Sequence, residues 1–196
     1  MSARGFTLLE ILITLIVLAI GMLGLANLQS KIHVTEVESY QRAHAVLLLQ
    51  DMIDRINSNR ADAATYVSGV ALGTSTTEDC AAATLAGVST AHKLARTDRC
   101  QWSTALQGAS EQRAGGGNSG GMIAARGCVE QIQAPNPAPG VCTPGIYRVT
   151  VAWQGLHKTK APAAGTACGS GAYGFEEQRR VISTTISLGT PTCNPP

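Results

Sequence analysis

The sequence predicts an α+β protein, a long N-terminal helix lying on a small antiparallel sheet. Three observations lead there. Apolar residues run almost unbroken from Phe6 to Ala26. A helical pattern of apolar residues then continues among charged ones as far as Ile56. Strand-like segments appear only later, after Met122.

The first run covers about 20 residues, enough for a helix spanning one hydrocarbon thickness. Upstream stands only Met1-Ser2-Ala3-Arg4-Gly5, with a single positive charge. A secretory signal cut after Gly24-Leu25-Ala26 would need an unusually long apolar region with Glu10 inside it. A plain anchor oriented by Arg4 leaves Glu10 unexplained. A carboxylate in hydrocarbon costs about 3 kcal/mol on insertion scales, so its presence calls for a reason.

No proline interrupts the chain before Asn57-Ser58-Asn59, a plausible stop. Val37, Tyr40, Leu47, Leu48, Met52, Ile53 and Ile56 recur at helical spacing among Glu36, Glu38, Arg42, Gln50, Asp51 and Arg55. A helix from Phe6 to Ile56 would be about 75 Å long at ~1.5 Å per residue. Gly21 and Gly24 weaken it locally, permitting bending or close helix contact.

Residues 61–92 are rich in Ala, Thr, Ser and Gly and read as a loop region carrying Cys80. Lys93 to Leu106, with Asp98, Cys100 and Trp102, suits a short helix. Gly115 to Gly121 lacks the Gly-Lys-Ser/Thr of a phosphate loop and reads as a flexible connector. Three strands are expected: Met122–Ala125 continuing through Cys128–Gln133 with a bulge at Gly127, then Gly145–Gln154, then Arg179–Leu188. The Pro135-Asn136-Pro137-Ala138-Pro139-Gly140 stretch separates the first two as a turn.

Aromatic residues make up only 4% of the 196, so the core must be built from small and aliphatic side chains. Such a core buries little area per residue and gains from cross-links. Cys80, Cys100, Cys128, Cys142, Cys168 and Cys193 contain no closely spaced pair of the kind metal sites use. The even count after a membrane-directed N-terminus favours up to three disulfides in an oxidising compartment, with 15 pairings open.

The formal charge of +2 is spread along the chain, with no basic stripe for nucleic acid. His33, His44, His92 and His157 are far apart, and no nucleophile has a nameable activating partner. Glu176-Glu177 reads as a solvated edge. No catalytic residue, metal ligand or cofactor is assigned.

Arg4-Gly5-Phe6-Thr7-Leu8-Leu9-Glu10 resembles the processing site of type IV prepilins. The resemblance implies cleavage between Gly5 and Phe6 by a prepilin peptidase, N-methylation of Phe6, and a role for Glu10 in subunit pairing. Gly21-Met22-Leu23-Gly24-Leu25-Ala26, Leu28-Gln29, and Met52 to Asn59 with Arg55 and Ile56 are similar to the PilV group of minor pilins. Asp98 with Trp102, and the strand Ile146 to Gly155, extend that likeness.

It implies a leader at 1–5, a transmembrane and polymerisation helix at 6–28, its amphipathic half at 29–60, and a periplasmic domain at 61–196. The implied function is that of a minor pilin priming pilus assembly at or near the tip, supporting twitching motility and adhesion. Its partners would be other minor pilins, the major pilin, the inner membrane and a tip adhesin. A pseudopilin of a type II secretion system shares the leader and helix and is the nearest rival. A secreted, disulfide-linked domain beginning at Asn27 is a rival of another class.

Overall fold

The computed structural model describes residue 5 and residues 7–74, 76, 80, 87–119, 121–190 and 193. Its elements in chain order are α1 (Leu8–Ser58), a 3-10 helix (Arg60–Tyr66), β1 (Leu72–Gly73), α2 (Thr90–Leu106), β2 (Arg126–Gln133), β3 (Gly145–Gln154), a short 3-10 turn (Glu176–Gln178) and β4 (Arg179–Leu188). The chain divides into two compact units, Met1–Tyr40 and Gln41–Pro196.

Helix α1 begins where Thr7 can cap it. The Thr7 hydroxyl accepts the Glu10 backbone N–H at 3.3 Å, satisfying one of the otherwise unpaired N-terminal donors. The helix passes through Gly21 and Gly24 without a break. It stops at Ser58, inside the expected Asn57-Ser58-Asn59 stretch, where Asn59 leaves helical geometry and turns its side chain inward. The Asn59 amide donates to the Ala91 carbonyl at 2.8 Å and to the Tyr66 hydroxyl at 3.3 Å. Engaged in this way, the amide caps no further turn and instead ties the end of α1 to α2 and to the 3-10 helix.

In the second unit the buried positions of α1 are Gln41, Ala45, Leu48, Leu49, Met52, Ile53 and Ile56. Their spacing of three and four residues places them along one face. That face joins a single core with Tyr66, Leu72, Trp102, Leu106, Val129, Tyr147, Val149, Val151 and Trp153. The sheet order is β1-β2-β3-β4, antiparallel throughout. β3 and β4 occupy the expected residues, paired without a break from Gly145–Leu188 to Gln154–Arg179.

Three local expectations are corrected. Met122–Ala125 forms no strand: it is a turn with Ala124 at φ 50, and β2 begins only at Arg126. The irregularity in β2 lies between Gln131 and Gln133, not at Gly127. Gly127 has a packing role instead, because a Cβ there would lie 2.1 Å from Trp102 Cη2 and 2.3 Å from Cζ3. The absent side chain is the space the indole occupies.

The glycine-rich connector is also more ordered than its composition suggests. A bridge between Gln112 and Asn118 closes it, with Arg113 N–H donating to the Gly117 carbonyl and Ser119 N–H to that of Glu111. Residues 61–92, expected as loop, contain the 3-10 helix and β1. Ser89 caps α2 by accepting the His92 N–H, so that helix starts three residues before Lys93.

Gly127→Ala must therefore displace the Trp102 ring. It is expected to destabilise the domain by about 1–3 kcal/mol, the usual cost of overpacking. Urea unfolding followed by tryptophan fluorescence measures this.

Candidate functional site

The first unit presents the segment the sequence singles out. From Leu8 through Leu28 every residue of α1 is exposed, although most are large and aliphatic. The helix is long and apolar enough to cross a membrane. Glu10 stands in its first turn, where a negative charge meets the positive end of the helix dipole. Among the described residues no cation lies within ion-pairing distance of it. Gly5 is exposed, and Phe6, the expected N-methylation site, lies outside the described residues.

In the second unit the motif residues of α1 and α2 come together as a clasp. Arg55 Nη1 donates to Asp98 Oδ1 at 2.8 Å and to Gln101 Oε1 at 2.8 Å, while Nε reaches both oxygens of Asp51 at 3.0 Å. The other oxygen of Asp98 accepts the Tyr66 hydroxyl proton at 2.5 Å. One turn further along α2, Trp102 Nε1 donates to the Leu48 carbonyl at 2.8 Å and so satisfies a fully buried indole N–H. The residues spaced as Met52, Arg55, Ile56 and Asn59 thus serve to bind α1 to α2 and to the 3-10 helix.

Burial works against the Arg55 charge, but the hydrogen bonds to Asp51 and Asp98 outweigh it and leave the pKa raised. Burial, reinforced by the hydrogen bond to Asp98, also pushes the Tyr66 phenol well up. Arg55 is thereby held charged and Tyr66 neutral.

The six cysteines pair as Cys80–Cys100, Cys128–Cys168 and Cys142–Cys193. Cys128–Cys168 pins the long β3–β4 connection onto the face of the sheet opposite α1, over Ala152 and Tyr173. Buried Arg179 secures the same connection, donating to Glu176 Oε2 at 2.7 Å and to the Thr166 and Cys168 carbonyls. Glu176 also accepts the Gly171 N–H at 2.7 Å, and these bonds hold its carboxyl below the usual carboxylate range. Glu176 is therefore a loop anchor, which corrects its reading as a solvated edge. Nothing in the local pattern announced this, because Gly171 reaches Glu176, and Thr166 reaches its partner Arg179, only through the fold of the connection. Burial pushes the nearby Tyr173 phenol up to about 12.

The N-terminal residues 1–26 match the prokaryotic N-terminal methylation motif. Residues 27–100 match the family model described as type IV pilin Tt1218. The two matches meet without a gap and cover α1 and most of α2. Across its first 100 residues the chain is thus similar to type IV pilins. No curated protein and no solved structure matches it significantly. In this pilin-like chain the long helix followed by a four-stranded antiparallel sheet is the fold of the family, and the family matches end before β2 begins.

Two outcomes are expected for the pilin-like domain. Asp98→Ala strips Arg55 and Tyr66 of their shared partner, so it should cost about 2–3 kcal/mol in urea unfolding at neutral pH. The tyrosines supply a pH dependence. A phenol whose pKa is raised on folding contributes stability that is present below its ordinary value near 10.0 and lost as pH rises toward about 12. Stability should fall across that window, and Tyr173→Phe should make the fall shallower in rapid denaturant titrations.

Proposed function

We propose that this chain is a minor pilin of a type IV pilus, of the PilV type. The precursor enters the inner membrane through its apolar helix and holds its disulfide-linked domain in the periplasm. Prepilin peptidase removes Met1–Gly5, and the new Phe6 amine is methylated. The helix then leaves the membrane to pack among those of other minor pilins and the major pilin. The complex primes pilus assembly and enters the fibre at or near its tip, supporting twitching motility and adhesion. The role is structural, not enzymatic.

The observation that carries this reading is an exposed aliphatic stretch of helix, Leu8 to Leu28, whose first-turn carboxylate Glu10 has no ion-pair partner among the described residues and lies within the match to the methylation motif. Each part is costly alone. Exposed aliphatic surface on this scale requires lipid or protein cover. An isolated carboxylate in that cover costs about 3 kcal/mol or more and is retained where it meets an opposite charge. Cleavage creates such a charge, the amine of Phe6, and Glu10 on one subunit pairs with that amine on its neighbour.

Glu10→Ala should leave cleavage and methylation intact, as read by mass spectrometry of the mature N-terminus, yet sharply reduce the subunit in sheared pili. Undiminished incorporation would refute the pairing. If deletion of the protein abolished enzyme secretion while leaving pili intact, the pseudopilin role would replace the pilus one.

A further inference from the structure

A groove of about 280 Å³ opens just past the C-terminal end of α1 in the second unit. Its floor is Tyr147 and Leu188, both buried, and one wall is Pro135 and Pro137. Among the described residues, Arg60 is the only charged one lining it. We propose that this groove is a docking site for an extended segment of a partner protein, one that inserts an apolar side chain beside a carboxylate.

The walls are fixed before any ligand arrives. Tyr147 is held by the Gln131 amide, which donates to its hydroxyl at 3.2 Å. A Cβ at Gly145 would lie 2.9 Å from the Tyr147 ring and 3.4 Å from Pro135, so the glycine keeps this corner open. The proline wall is braced by paired backbone bonds between Asn136 and Thr143, at 2.9 and 3.0 Å. The Asn136 side chain also accepts the Ala138 N–H at 3.0 Å. A rigid apolar recess loses little entropy on filling, and that favours binding.

Size and charge select the occupant. The volume falls below the roughly 300–1,000 Å³ of drug-sized ligand sites and suits one or two side chains. Arg60 is exposed, and its Nε is occupied by the Asn57 carbonyl at 3.1 Å. Its terminal nitrogens make no hydrogen bond among the described residues and can grip a carboxylate in two-pronged fashion. An apolar side chain with an acidic neighbour satisfies both features. Choosing a protein segment over a free small molecule rests on the assembly role proposed above, in which this domain meets other subunits.

The test uses the full-length, isotope-labelled chain in lipid nanodiscs and three soluble probes: acetyl-Gly-Leu-Asp-Gly-amide, its Leu-Lys analogue and its Ser-Asp analogue. The Leu-Asp peptide should shift the amide signals of Ala63, Gly145 and Gly189, with at least tenfold weaker binding by the other two. Arg60→Glu should reverse the preference between the acidic and lysine peptides while leaving distant signals in place. Absent shifts, or equal shifts from all three probes, would overturn the proposal. So would cross-relaxation showing that the chain's own segment after Thr190 fills the groove. Incorporation of the same chain into sheared pili reads the assembly role separately, so either idea can fail alone.

Discussion

The packing of one indole organises the second unit. Trp102 is fully buried, its ring takes the space that Gly127 leaves on β2, and its N–H bonds to the Leu48 carbonyl of α1. A single side chain on α2 thereby fixes both a strand and the long helix. In a protein with few aromatic residues, one such anchor carries an unusual share of the buried area. The Arg55–Asp98–Tyr66 network lies beside it and sets the register of α1 against α2, since its groups meet in only one alignment.

The same anchor explains how α1 is divided. Beyond Gln41 one face of it, Ala45, Leu48, Leu49, Met52, Ile53 and Ile56, is consumed by the domain core, while before Tyr40 its apolar positions are almost all exposed. The covered half gives the domain a core that its own small residues could not build. The uncovered half is left for membrane and neighbouring subunits in the proposed assembly. Disulfides then hold what packing does not: Cys128–Cys168 and the Arg179–Glu176 pair fasten a connection rich in left-handed glycines. Closing a loop of that length contributes about 2–4 kcal/mol.

The legible parts of the sequence were those governed by periodicity. The helix, β3 and β4 could be read because burial of one face imposes a repeat on the residues themselves. The clasp was half legible: Arg55, Asn59, Asp98 and Trp102 stood out as a motif, but their convergence depends on how α2 docks. Gly127 misled, because a glycine that yields space to a distant ring looks locally like one that bends a strand. The cysteine pairing and the Glu176 anchor stayed hidden for the same reason, being set by contacts that the local pattern does not encode.

If Trp102 joins α1 to the sheet, the two must open together. Native-state hydrogen exchange on the full chain measures this directly. Amides of Leu48 to Ile56 should exchange with the same opening free energy as those of Val149 and Val151, and Trp102→Leu should lower both sets by the same amount. Helix amides that exchange independently of β3, or that keep their protection in Trp102→Leu while the sheet loses its own, would contradict the account.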